Sequence, residues 1–155
     1  MLAVSHVPNG VLDLCTNDDR VRRLRDPDLA RRANLLPERQ RDLVHLVLSG
    51  NCTFRQLAAL TGENPGTICR RFGRLVRRLR DPVVIALIDD PEELSELYRN
   101  VGLARFLHGR SIASLAGEHA RPAYEIRAIL AYLKTWAAMR KLRRLRAESE
   151  CVSDR

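Results

Sequence analysis

Apolar positions recur at helical spacing along most of the chain, and no long stretch alternates apolar and polar residues as a strand does. Ile68, Phe72, Leu75 and Leu79 fall within about 40° of one another around a helix. Prolines that favour helix starts and glycines that favour helix ends punctuate the pattern, notably at 37, 50, 62, 65, 109 and 122. The pattern predicts an all-α protein.

The chain also contains an internal repeat. The heptapeptide Val-Arg-Arg-Leu-Arg-Asp-Pro occurs at 21–27 and again at 76–82. A longer, weaker repeat relates residues 53–75 to residues 111–133, and the helices upstream of each copy match with one residue of slippage. Each copy reads as a helix, a short helix, a turn and a longer helix, so a supersecondary unit is repeated.

We therefore predict two tandem helix-turn-helix modules of three or four helices each. The first spans residues 29–82, and the second, a degenerate copy, spans 91–146. Residues 83–90 are predicted as a linker because a proline marks a helix boundary on either side, although the apolar middle also suits a helix that docks the modules. An N-terminal arm (1–28) and a disordered tail (147–155) complete the organisation.

Charge is unevenly distributed along the chain. The sequence has 27 basic and 19 acidic residues, with a net charge of +8. Residues 66–80 hold six arginines and no acid, residues 81–100 hold six acids and one arginine, and residues 120–146 hold eight basic residues and one acid. Two basic helices favour an anionic partner, nucleic acid first, over the alternative of solvated helix surface.

Several classes of protein are disfavoured. No apolar run approaches the length of a membrane span, and the first 15 residues lack the features of a secretory signal. The four cysteines are widely spaced, so we predict free thiols in a cytoplasmic protein, with no metal site and no disulfide framework. No clustered acids and histidines and no nucleophile motif indicate an enzyme, and no cofactor is predicted.

Three segments of the first module occur in the order and spacing of a known family: LPERQR at 36–41, TFRQLA at 53–58 and GTICRRFGRLVRRLR at 66–80. Together they resemble region 4 of bacterial sigma factors, over about residues 35–82; LuxR-type domains are the alternative family. The resemblance implies a helix-turn-helix that reads the major groove. The aromatic-rich melting helix of a full sigma factor is missing, which favours a sigma-like DNA reader over a complete initiation factor.

The resemblance implies DNA-binding roles for Thr53, Arg55, Thr67, Arg70, Arg71 and Arg74. The face of the last helix of this module that lies opposite its buried stripe, together with the flanks of that face, adds Gly66, Cys69 and Arg77. The residues near helix starts would hold phosphates, Arg70 would read a base edge, and Arg71 and Arg74 would contact the DNA backbone or the groove wall. Pro65, Gly66 and Cys69 stand where the family often has charged or basic residues, so its usual promoter element is not assumed as the target.

The last helix presents a different outward surface, formed by Tyr124, Arg127, Ala128, Ala131 and Lys134. It is either a second DNA surface that reads shape and phosphates, helped by the basic run 140–146, or a flat face that packs on a helix of a homodimer or another partner. The second interpretation is slightly favoured, because the surface is poor in donors for base edges.

The sequence thus predicts a bacterial DNA-binding transcriptional regulator whose partner is double-stranded DNA. The alternative is a protein-interaction module that binds RNA polymerase or a sigma-factor partner. The arginines at 70 and 74 count against the alternative, because acidic residues on that face would have favoured it.

Overall fold

The computed structural model describes residues 27–153, with side chains described as far as residue 147. Every regular element within this range is helical, which confirms the all-α prediction. The N-terminal arm predicted for 1–28 lies almost wholly outside the described residues. The chain divides into two compact units, Met1–Leu79 and Arg80–Arg155.

The described part of the first unit has four helices: α1 (Pro27–Ala33), α2 (Glu38–Leu48), α3 (Phe54–Thr61) and α4 (Pro65–Leu79). The first three each pack against α4, which makes α4 the central helix of the unit. Its buried face carries Ile68, Phe72, Leu75 and Leu79, the stripe predicted from the sequence.

Local hydrogen bonds explain why α3 and α4 begin and end where they do. Thr53 and Gln56 form a capping box at the start of α3, with each side chain accepting from the other's backbone N–H. Gly62 ends α3 in the left-handed conformation, with φ 70°. The Asn64 side chain then accepts from the backbone N–H of Gly66 at 2.8 Å, which caps the first turn of α4.

The described part of the second unit has four α-helices and two short irregular turns. The helices are α5 (Pro82–Asp89), α6 (Glu96–Gly102), α7 (Ile112–Glu118) and α8 (Ala123–Ser153), with a 3₁₀ turn at Pro91–Glu93 and a π-helical turn at Leu103–Leu107. Helices α5, α6 and α7 each pack against α8. The core of the unit includes Leu87, Val101, Leu115, Ile126 and Leu133, all almost inaccessible to solvent.

Two segments differ from the sequence-based organisation. Residues 83–90, predicted as a linker, lie almost entirely in α5, where the Asp81 carboxylate accepts from the N–H of Val83 at 2.8 Å. Because Val83 and Leu87 belong to the core of the second unit, this segment is part of a folded body. The last helix continues to Ser153, through most of the segment 147–155 predicted as a disordered tail.

The Asp-Pro-Glu-Glu stretch at 90–93 has the sequence form of a capping box but does not form one. Asp90 makes no capping hydrogen bond, and the turn that follows is a single 3₁₀ turn. The Asp90 carboxylate pairs instead with arginines of α8.

Among the described residues, no helix combines the length and the apolar character that crossing a bilayer requires.

Candidate nucleic-acid interface

Helices α3 and α4 are held together by an aromatic contact and a three-residue turn. The rings of Phe54 and Phe72 meet edge to face, with centroids 5.6 Å apart. Leu57 and Ala58 of α3 are buried, as is Ile68 of α4. These contacts leave the other side of α4 exposed along its length.

The exposed side of α4 carries a row of arginines. Arg70, Arg74 and Arg77 are spaced at i, i+4 and i+7, so they lie on one face, opposite the buried stripe. All three side chains are exposed. Neither Arg74 nor Arg77 has an ion pair within the described part of the chain, so this face carries uncompensated positive charge.

Two further arginine contacts show how the surface is organised without a ligand. Arg70 Nε donates to the carbonyl of Gly66 at 3.1 Å, one helical turn earlier. Arg71 Nη1 donates to Glu63 Oε1 at 3.1 Å, and Arg71 Nη2 lies 2.9 Å from Glu63 Oε2. The fork of Arg71 is therefore matched by the carboxylate of Glu63, in the turn before α4, whereas Arg70 has only a carbonyl partner.

The remaining predicted residues of the first unit lie around the start of α3 and α4. Thr53 is exposed, but its hydroxyl serves the capping box, where it also donates to Gln56 Oε1. Arg55 is exposed on the first turn of α3, and Gly66 and Thr67 are half-buried on the first turn of α4. A Cβ at Gly66 would lie 3.1 Å from Asn64 Oδ1, so glycine suits the cap there.

Cys69 is a correction to the predicted set. Its side chain is 0% exposed, so it cannot contact DNA. Cys69 is also disulfide-bonded, whereas the sequence analysis predicted a free thiol there. Cys52 is a free thiol, in agreement with the prediction. The burial has a clear cause, because Cys69, Phe72 and Val76 follow helical spacing and widen the buried stripe to one side. Pairing depends on distance in space, which chain spacing does not reveal.

The predicted second surface lies on α8. All five residues are exposed: Tyr124, Ala128 and Ala131 lie opposite the buried stripe of α8, and Arg127 and Lys134 lie on one flank of that face. Tyr124 is 68% exposed, with its hydroxyl 3.4 Å from Glu125 Oε1. The structure thus brings these five residues together on one helix face.

The basic run 140–146 is partly neutralised within the second unit. Arg140 pairs with Asp90 at 2.5 Å and with Glu93, and its guanidinium stacks 5.5 Å from the centre of the Trp136 ring. Arg144 pairs with Asp89 and Asp90 at 3.0 and 3.1 Å. These arginines are therefore engaged by the acidic stretch 89–93, which weakens their candidacy as phosphate contacts.

These ion pairs shift the acid–base equilibria of the cluster. The hydrogen bond from Arg140 holds the pKa of Glu93 below its ordinary value, and the Trp136 indole N–H, 3.2 Å from Glu93 Oε2, acts in the same direction. The pKa of Arg140 is raised by the same pair. The acidic stretch was visible in the sequence, and its opposite charge to 140–146 was the signal for this pairing.

In the described part of the chain, no group of three or more His, Cys, Asp or Glu side chains is arranged to hold a metal ion.

No protein-family model, curated protein or solved structure matches the chain. The case for function therefore depends on the surfaces described above.

Proposed function

We propose that this protein is a sequence-specific DNA-binding regulator of transcription, in which α3 and α4 act as a helix-turn-helix and α4 enters the major groove. The observation that carries the proposal is the row of Arg70, Arg74 and Arg77 on the exposed face of α4. Over these residues the helix rises about 10 Å, which corresponds to roughly three base-pair steps. The resemblance to region 4 of sigma factors supports the same orientation.

Glycines among these arginines suit a close approach to DNA. Gly66 and Gly73 lie on the same side of α4 as the arginine row, and neither presents a side chain. The helix backbone can therefore come nearer to the groove floor than a helix with large side chains at these positions. Arg70, at the centre of the face, exchanges its bond to the Gly66 carbonyl for a guanine edge.

Phosphate contacts come from the edges of the same surface. Arg55, which is exposed on the first turn of α3, supplies one phosphate contact. Arg74 and Arg77 contribute charge along the groove wall. Each neutralised phosphate contributes about −0.9 to the slope of log affinity against log salt.

Fluorescence anisotropy across salt concentrations tests this function. The probes are a duplex selected from genomic fragments retained on the purified protein and a random duplex. Arg70→Ala should weaken the selected duplex by roughly 1–3 kcal/mol and relax its preference at one base pair. Arg74→Ala should weaken both duplexes and reduce the salt slope by about one unit.

Arg39→Ala is the matched control, because Arg39 is an exposed arginine of α2 outside the proposed surface. It should leave the preference between the two duplexes unchanged. If Arg70→Ala and Arg74→Ala bind both duplexes like the parent, α4 is not the DNA-binding helix. Binding to purified RNA polymerase by a protein that retains no DNA fragments would instead favour the protein-interaction alternative.

A further inference from the structure

Within residues 27–147, large apolar side chains are exposed mainly on one helix. Of the eight large hydrophobic residues exposed in the described part of the chain, five lie on α8: Tyr124, Tyr132, Met139, Leu142 and Leu145. Each is at least half exposed. A concentration of this kind on a single helix marks an interaction surface rather than scattered surface residues.

The exposed residues follow the spacing of a helix–helix seam. Alternate steps of four and three residues connect Tyr124, Ala128, Ala131, Thr135, Ala138, Leu142 and Leu145, all exposed. This is the a/d spacing of a coiled coil, and it continues for about three heptads. The Thr135 hydroxyl donates to the carbonyl of Ala131 at 3.3 Å, so its polar group is already satisfied within α8.

The seam has a shape suited to a helix. Its middle consists of alanines and one threonine, which allow a partner helix to approach at the short end of the usual 8–10 Å interaxial range. Larger side chains close both ends, with Tyr124 at one end and Leu142 and Leu145 at the other. Tyr132, beside the seam, is held by an edge-to-face contact with Tyr98 at 5.4 Å.

The seam is flanked on one side by a row of positive charge. Arg127, Lys134 and Lys141 recur every seven residues, are exposed, and have no ion pair within the described residues. In coiled-coil terms they occupy the g positions, next to the seam. The opposite flank presents the uncharged Tyr132 and Met139 in its middle, with Glu125 and Arg146 at its two ends.

This charge pattern disfavours a second copy of the chain as the partner. In a parallel pair, the three basic residues would face Tyr132, Met139 and Arg146 of the other copy, and in an antiparallel pair they would face one another. Within residues 124–146, neither arrangement offers them a carboxylate. Glu125, the acid on this part of α8, already pairs with Arg121 at 2.8 Å.

We propose that this face of α8 is a docking surface for an amphipathic helix of another protein, one with an apolar stripe flanked by acidic residues. The apolar stripe covers the seam, and the acidic flank pairs with Arg127, Lys134 and Lys141. The inference concerns the second unit and does not depend on the DNA-binding function proposed for the first.

Two synthetic peptides of about three heptads provide the test. They share an apolar stripe and differ only in flanking residues, glutamate in one and lysine in the other. Binding of each fluorescently labelled peptide to the full chain is measured by anisotropy. The glutamate peptide should bind at least about tenfold more tightly, because three charge pairs change from repulsive to attractive.

Three variants locate the binding on α8. Ala131→Glu places a charge in the centre of the seam and should abolish binding of the glutamate peptide. Lys134→Glu should narrow or reverse the preference between the peptides. Arg99→Glu makes the same charge change at an exposed residue of α6, off the seam, and should preserve the preference. Circular dichroism confirms that each variant remains folded.

Other outcomes overturn the proposal. If neither peptide binds, or if Ala131→Glu binds the glutamate peptide like the parent, no acidic helix docks on this face. If the parent sediments as a dimer and Ala131→Glu as a monomer, the partner is a second copy. If Lys134→Glu lowers DNA affinity as much as Arg74→Ala does, the face belongs to a DNA contact.

Discussion

Gly62 and Ala120, 58 residues apart, both have a left-handed backbone, with φ of 70° and 49°. They are equivalent positions of the sequence repeat, and each follows a short helix. The caps of those helices correspond in the same way, since the hydroxyls of Thr53 and Ser111 each accept from the backbone N–H three residues later. At these points the local backbone follows the sequence repeat.

The correspondence extends upstream with the slippage of one residue that the sequence shows. Gly50 and Gly109 both have φ 73°, and each lies a few residues before a capped short helix. Ala120 differs from the glycines at the three related positions. The left-handed conformation that glycine adopts freely is strained for a residue with a Cβ, so the backbone at Ala120 is strained. It is the one non-glycine residue with positive φ in the described chain.

Exchanging the two residue types should have opposite effects on stability. Gly62→Ala should lower the free energy of unfolding by about 1–2 kcal/mol from backbone strain alone, because an added Cβ meets no atom within 4 Å. Ala120→Gly should raise it by a few tenths to about 1 kcal/mol, since relief of strain exceeds the added unfolded-state entropy. Urea unfolding followed by circular dichroism measures both. Stabilisation by Gly62→Ala would contradict the left-handed turn.

The features that local sequence dictates were predictable. Two local signals are sufficient to place α3. A threonine stands three residues before a glutamine at its start, and a glycine follows the apolar pattern at its end. Such caps and left-handed ends depend on neighbouring residues alone. The all-α class and the buried stripe of α4 follow from periodicity in the same way.

Features that depend on contacts distant in sequence were not predictable. Burial of Cys69 depends on what packs beside α4. The opposite charges of 89–93 and 140–146 indicated that these segments could pair, but not that Arg140 meets Asp90. The segment 83–90 was ambiguous for a related reason. Proline at both ends suggested a boundary, and only packing of its apolar residues in the second unit shows that it belongs to a core.

Glu63 should restrain the DNA affinity of the first unit. Its carboxylate pairs with both outer nitrogens of Arg71, so Glu63→Gln should release that arginine toward phosphates. Affinity for any duplex should rise, and the salt slope should steepen by up to about 0.9. Anisotropy titrations measure both, with Glu38→Gln, an exposed acid of α2, as the control. Equal gains in the two variants would show that net charge, not the Glu63–Arg71 pair, is responsible.

Gly102 lies at a close approach of α6 to the core of the second unit. A Cβ there would lie 2.7 Å from a methyl of Leu87 and 2.9 Å from a methyl of Leu133, both buried. Gly102→Ala should therefore destabilise the protein by about 1–3 kcal/mol through overpacking.

The control for this substitution is Gly117→Ala, in α7 of the same unit. An added Cβ there meets nothing within 4 Å, and alanine favours a helix by about 1 kcal/mol, so this variant should be more stable than the parent. Denaturant unfolding compares the two. If Gly102→Ala is as stable as Gly117→Ala, the approach of α6 to Leu87 and Leu133 is not as close as described.

Acid should weaken the ion-pair cluster formed by the acidic stretch and α8. Because Arg140 lowers the pKa of Glu93 in the folded state, the ionised carboxylate favours folding. This contribution is complete above the ordinary glutamate pKa of about 4.3 and is lost as the pH falls through the lower value of the folded state. Glu93→Gln should thus be less stable than the parent at pH 7, and the difference should shrink as the pH falls below about 4.

Glu92→Gln is the matched control, because Glu92 is the exposed neighbouring acid and has no ion pair within the described residues. Urea unfolding followed by Trp136 fluorescence is suitable for all three proteins, since the indole N–H donates to Glu93. Glu92→Gln should keep the pH dependence of the parent, whereas Glu93→Gln should flatten it. If the difference in the free energy of unfolding between Glu93→Gln and the parent stays constant from pH 7 into acid, ionisation of Glu93 does not contribute to folding.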